Sequence, residues 1–354
     1  MLVKTRDLKS ALGPLVQLTK GQKTPTESAV MLSFDGSTLT LRAHVRSVEL
    51  RYVLSGEDEH PAASICVNAK NLLKQIRACK ASVVNLEIAD GLQLKSGVLN
   101  CTMAPQCPAS IMPIPICHSG DDTVIIDSTR ATDMAWVVRA MGCDETRKHI
   151  NALYLDASMG MMVATDGHRL HAAPCGTTRS ALIPALAASL FPKLCEHGAA
   201  MQIGPDSVQV TTTDGTLRCR NLTGSGTEFP PWTTLLSPLD TMTVRIVLNR
   251  NASKEWMTAL KPLANEGATF RVNGTVQVRC ASDASDTILE LPTTDKVWRD
   301  YGECATRDVT IGFNPRYIAD AVLDACSVHL PSDPLAPCRV ISGERQALVM
   351  PTRL

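Results

Sequence analysis
The sequence predicts an α+β protein built from three copies of one plan, each with two amphipathic helices and antiparallel strands. Three observations lead there. A helical apolar periodicity recurs at intervals of roughly 120 residues, too regular a spacing for unrelated elements. A second helical pattern follows each of these first ones. Runs of alternating apolar and polar residues, broken by Asx-Gly turn signals, fill the spaces between.

Each element has its own justification. The first helices are "RDLKSALGPLVQLTK" from Arg6, "ATDMAWVVRAMGC" from Ala131 and "NASKEWMTALKPLA" from Asn251, with apolar residues three and four apart. The second helices are "NAKNLLKQIRACK" from Asn68, "SALIPALAASLFPKLCEHG" from Ser180 and "NPRYIADAVLDAC" from Asn314, with Asn68, Ser180 and Asn314 as N-caps. Strand pairs are expected in "SAVMLSFDGSTLTLRAHVRSVELRYVL", turning at "DGS", and in "VVNLEIADGLQLKSGVLNCTM", turning at "ADG". Two more are "AAMQIGPDSVQVTTTDGTLRCRNL" and "ATFRVNGTVQVRCAS", the latter turning on "NG". Turn-rich stretches at Pro115–Asp122 and Leu236–Met242 set domain boundaries of 1–120, 121–241 and 242–354.

Composition narrows the function. The chain has 354 residues and 44% apolar content but only 4% aromatic, so its cores rest on aliphatic side chains. No apolar run approaches the ~20 residues of a membrane span. The start, "MLVKTRDLKS", lacks the apolar centre of a secretory signal, and a cytoplasmic protein is expected. Thirteen cysteines are scattered without a CxxC pair, which favours buried reduced thiols over a zinc site, and no cofactor is expected. Net charge is zero, so a generally basic nucleic-acid coat is excluded. Yet the three thirds carry +4, −4 and 0, and across the six helices basic residues outnumber acidic ones two to one. On the helix from Asn68, Lys70, Lys74 and Arg77 form a stripe opposite Leu72, Leu73, Ile76 and Cys79. Such faces suit phosphates without reading bases.

One short motif is chemically ambiguous. "VATDGHRLHA" (Val163–Ala172) offers Asp166 and His168 as an acid–base pair, or His168, His171 and Cys175 as metal ligands, or a turn after a strand. No GxSxG, HExxH or Walker pattern accompanies it.

These stretches together resemble the bacterial DNA polymerase III beta subunit, the sliding clamp, as a divergent member. The resemblance is carried by "VATDGHRL", by "IGFNPRYIADAV" (Ile311–Val322), by the ending "ALVMPTRL" (Ala347–Leu354), and by "NAKNLLKQIRA" with "LEIADGLQLKSG". It implies a non-catalytic processivity factor: a head-to-tail homodimer of three-domain subunits closing a ring, helices lining a pore for duplex DNA, antiparallel sheets outside. It implies partners that bind through short linear peptides, namely the replicative polymerase, the clamp loader and repair factors. The peptide pocket falls on Arg147, Ile150, Thr165, Gly167, His168, Arg169 and Leu170, on Pro230, Thr234 and Leu235, and on Leu348, Val349, Met350, Pro351, Thr352 and Arg353. The DNA-facing residues fall on Lys20, Lys23, Lys70, Lys74, Arg77, Arg139, Lys193, Lys254, Lys261 and Arg316. The dimer seam falls on Lys74, Leu99, Cys101 and Met103, paired with the strand around Phe270. Three positions depart from the family: Thr234 stands where a basic residue is usual, Thr352 where Met is usual, and Cys101 at an aromatic position. These departures leave a second reading open, a specialised or regulatory clamp paralogue with altered partner preference.

Overall fold
The computed structural model describes the chain except residues 114–115, 117–119, 121, 145, 148, 224–225, 237–241, 264–267, 274, 282–285, 294–308, 332 and 354. Internal contacts divide it into two compact units, residues 1–132 with 177–225 and residues 133–176 with 226–354.

The first unit holds two antiparallel sheets. One runs β1 (Leu2–Lys4), β4 (Val83–Ile88), β5 (Leu92–Ser96), β6 (Leu99–Met103), so β6 is an edge. The other runs β2 (Ala29–Val45), β3 (Val48–Asn68), β14 (Gly215–Arg220), β13 (Ser207–Thr211), β12 (Ala199–Ile203), β7 (Asp122–Ile126). Helices α1 (Thr5–Leu18) and α2 (Ala69–Ala78) pack on each other. Leu8, Leu12, Leu15 and Leu18 of α1 and Leu72 and Ile76 of α2 are buried. Strand β11 (Ala181–Pro184) and two short helices, α4 (Ala185–Ala188) and α5 (Phe191–Leu194), complete this unit.

In the second unit, β8 (Ala152–Asp156), β9 (Met161–Thr165), β10 (Arg169–Pro174), β22 (Arg345–Val349), β21 (Cys338–Ser342), β20 (Cys326–Pro331) and β15 (Met242–Leu248) are successive neighbours. A second sheet runs β18 (Asp286–Leu291), β17 (Thr275–Ala281), β16 (Ala268–Asn273), β19 (Val309–Phe313). Helices α6 (Arg250–Leu260) and α7 (Pro315–Ala321) pack together. Helix α3 (Ser128–Val137) carries the chain from one unit into the other.

A recurring junction starts the helices. A strand ends, and an Asn or Asp side chain accepts from the first free N–H groups of the helix. Asn68 accepts from Asn71 N at 3.0 Å, Asn249 from Asn251 N and Ala252 N at 3.0 Å, and Asn314 from Arg316 N at 3.0 Å. Asp127 accepts from Arg130 N at 2.8 Å before α3. Asn68 and Asn314 are the caps expected from sequence. The third helix begins at the Asn249 cap, slightly ahead of the Asn251 expected.

Two expectations are corrected. Ser180 caps no helix: "ALIP" is strand β11, where Leu182 N donates to Asn221 Oδ1 at 3.0 Å and its carbonyl accepts from Leu222 N. The helical segment then breaks into α4 and α5, the latter with Pro192 in its first turn. "DGS" is not a hairpin turn either. Strand β2 runs through it with shifts of register on both sides of Gly36, and the chain reverses at Arg46–Ser47, where Arg46 takes a φ of 53°. That residue pays a left-handed backbone in a side chain other than glycine. The "ADG" stretch does separate paired strands, β4 from β5, and β16 pairs with β17 as far as Asn273 and Thr275, while Gly274 of the expected "NG" turn lies outside the described residues.

Candidate partner-peptide site and basic helix faces
The motif around Gly167 is a tight loop joining β9 to β10. Asp166 organises it: one carboxylate oxygen accepts from the backbone N–H of His168 (2.9 Å) and Arg169 (3.0 Å), and the other from Arg169 Nε (2.9 Å). The Thr165 hydroxyl donates to Arg169 O at 2.6 Å and accepts from Gly167 N at 3.1 Å. Gly167 has a φ of 92°, and a Cβ there would lie 3.3 Å from an Arg147 nitrogen. Asp166 is therefore committed to the loop, which removes it from acid–base chemistry with His168.

Arg169 is a hub. Its guanidinium also donates to Asp320 Oδ2 on α7 at 2.6 Å and to Arg139 O at 2.5 Å, and lies 4.5 Å over the Tyr317 ring. Buried and fully engaged, it fastens the loop to two helical segments. His171, on the same strand face, is wholly buried, stacks on Trp136 at 4.4 Å and meets Trp136 O through Nδ1 at 2.9 Å. Burial drives its pKa down to about 3, so it is a neutral core side chain. His168 is exposed. The trio His168, His171 and Cys175 is not gathered as ligands, and among the described residues no three metal-binding side chains cluster.

The opposite face of the sheet is apolar. Register places Leu170 beside Leu348 and Thr165, and Ala172 beside Val163. Trp232 packs onto Val163, Leu170, Ala172 and Leu348, flanked by Tyr154, Met161, Phe229 and Leu236. Its indole N–H donates to Asp156 Oδ2 at 2.9 Å, the partner a buried Trp requires. Burial pushes the Asp156 carboxyl up, but donors from Ser158, Trp232 and Met159 outweigh it and hold it below the usual carboxylate range. The sequence offered no cue to Asp156 or Tyr317; the Trp in "PPWTTL" was the one available signal.

The expected pocket residues thus divide. Ile150, Thr165, Arg169, Leu170, Leu348 and Val349 are buried, Pro230 and Pro351 half-buried, and Arg147, Gly167, His168, Thr234, Leu235, Met350, Thr352 and Arg353 exposed. Leu235 at 50% and Met350 at 40% are among the large apolar side chains left in solvent in the described residues, and they lie close in sequence to Trp232 and Leu348. Thr234 turns its hydroxyl onto Pro231 O at 2.7 Å. The tail is anchored by backbone: Met350 N donates to His168 O and Thr352 N to Gly312 O, each at 2.8 Å.

Each of the ten basic residues expected to face DNA is exposed. In the first unit, Lys4, Arg6, Lys9 and Lys80 also line a cleft of about 740 Å³ at the start of α1, with Asp7 and Glu57. At the expected seam, β6 is a free edge with Leu99, Cys101 and Met103 half-exposed, and Lys74 is exposed. Phe270 requires correction. Its strand is hydrogen-bonded on both sides, by β17 and β19, and its ring is buried edge-on against Phe313 at 5.6 Å. The edge strand of that sheet next to β17 is β18.

Neither a family model nor a curated protein matches the sequence. Solved structures do. The chain superposes over its full length on the DNA polymerase III beta subunit of Thermotoga maritima, with TM-score 0.83 at 18% identity and 99% of that chain covered. The chain has the sliding-clamp fold. The DNA polymerase III subunit beta of Pseudomonas aeruginosa gives TM-score 0.81 at 20% identity, with both chains covered completely. A sliding clamp from Bartonella birtlesii, bound to griselimycin, gives 0.82 at 17% identity, covering 100% of this chain and 99% of that one.

Proposed function
We propose that this protein is a DNA sliding clamp, a cytoplasmic processivity factor without catalysis that encircles duplex DNA and tethers the replicative polymerase and other partners. The observation that carries this reading is the likeness to beta subunits over the whole chain, which covers 99–100% of theirs. The exposed basic residues of the helices on a neutral chain agree with it: enclosure needs a mild local field, and tight phosphate contacts would oppose sliding. In this reading the chain comprises three clamp domains, 1–120, 121–241 and 242–354. A second copy closes the ring head to tail, edge β6 of one copy adding to edge β18 of the other, with backbone hydrogen bonds supplying most of the seam.

The partner site is the face around Leu235, Met350 and His168, floored by Leu170, Leu348 and Trp232. An extended peptide would set its apolar anchors there. The clamp loader and repair factors would use the same site. Thr234, Thr352 and Cys101 favour the second reading, a specialised paralogue with its own partner preference.

The deciding experiment loads the protein onto nicked circular DNA with a clamp loader, then linearises the DNA. Retention on the circle and loss from the linear form are expected. Equal retention on both, or none on either, defeats the encircling role.

A further inference from the structure
We propose that Cys66 and Cys107 are a paired dithiol that takes up an intramolecular disulfide when the protein meets a low-molecular-weight disulfide such as oxidised glutathione. Cys66 lies near the end of β3 and Cys107 lies four residues beyond the edge strand β6; their backbones form an isolated antiparallel bridge. Residues bridged in this way have Cα atoms about 4.5–5.5 Å apart, inside the range a disulfide spans. Residues directly opposite in an antiparallel bridge project their side chains to the same side of the pair, so the two thiols point together rather than apart. Both are free thiols in one buried cluster with Ala29 and Met112.

The segment is already docked. Gln106 N donates to Cys66 O at 2.8 Å, and the Gln106 amide donates to Pro25 O at 3.0 Å and Ser28 Oγ at 2.6 Å. Bond formation therefore demands little movement of the backbone.

The chemistry is two exchanges. Cys107, 6% exposed against 0% for Cys66, attacks one sulfur of the reagent and expels the first small thiol. Cys66 then attacks Sγ of Cys107 and expels the second. Two protein thiols are oxidised, their two protons leave with the two small thiols, and the reagent disulfide is reduced. Burial and the neighbouring thiol push Cys66 up to about 12, which slows the second exchange, the closure onto Cys107. Once formed, the bond ties the chain leaving β6 to the end of β3, and so fixes the exit of an edge strand.

The test uses the full native chain. It is incubated with oxidised glutathione, its remaining thiols are alkylated, and its peptides are mapped by mass spectrometry. Exposed Cys143 reports that the reagent is active. The expected product is a Cys66–Cys107 linked peptide, reversed by dithiothreitol, with a rise in Tm on the order of 5 °C. Neither the link nor the rise should occur in Cys107→Ser or Cys66→Ala, whose folding is checked by circular dichroism. Recovery of Cys66 and Cys107 as separate alkylated thiols while Cys143 is modified overturns the proposal. So does a main product joining either one to another cysteine.

Discussion
His171 shows how a residue suited to chemistry becomes architecture. It is buried against Trp136 with its pKa near 3, whereas in the unfolded chain it titrates near ~6.5. Between those values the unfolded state holds the extra proton, so stability rises with pH and is lost as pH falls from about 6.5 toward 3. From pH 7 to pH 5 the loss is roughly 2 kcal/mol. Urea unfolding at the two pH values should show it in the wild type and show a smaller difference in His171→Phe, which keeps the stack. Equal pH sensitivity would mean that the imidazole is not buried neutral. Arg169 is the opposite case, a charge kept buried by three polar partners. Arg169→Ala strands Asp166 and Asp320 and should cost about 3 kcal/mol, read as a lower urea midpoint.

At the scale of elements, the strand-to-helix junctions are the repeated device. Replacing Asn68 or Asn314 with Ala should each cost about 1 kcal/mol by the same measurement, since each cap accepts from an N–H of the helix's first turn. These elements were legible because caps and 3.6-residue periodicity are local properties. The helix expected from Ser180 was not: Pro184 and Pro192 interrupt an apolar run, and the pull of Asn221 on Leu182 is a contact 39 positions away. The Gly36 irregularity escaped for a similar reason, because a bulge in a long strand and a hairpin turn share the same residues. At the candidate site, "TDGHRL" and the ending "VMPTRL" could be read in sequence; their pairing through His168 and Met350 depends on strand register. That register also carries a prediction. Leu235→Ser with Met350→Ser should weaken a partner peptide at least tenfold in a fluorescence titration with thermal stability unchanged. An unaltered affinity would place the peptide elsewhere.

The whole molecule poses a problem of charge placement. In the proposed role, zero net charge with exposed cations on the helices would give a mild local field for a polyanion without making the whole surface basic. Neutralising Lys70, Arg77, Lys254 and Arg316 together, each to Gln, should shorten retention on circular DNA and flatten its dependence on salt. Unchanged lifetimes would move the DNA path away from these helices. Phe270 is instructive at this scale too. Sequence expected a seam strand at Phe270, but that strand is an inner one, because strand order within a sheet depends on pairings beyond any local pattern.

The indole of Trp232 has a practical consequence. It rests on the floor of the proposed peptide site, shielded from water and tied to a carboxylate. Its emission depends on that polarity and on that hydrogen bond. A ligand settling over Leu170 and Leu348 must either slide across the ring or lift it, and each changes the wavelength and yield of emitted light. In the proposed role, Trp232 would thus be an unlabelled optical gauge of occupancy, usable in a stopped-flow mixing cell without a dye.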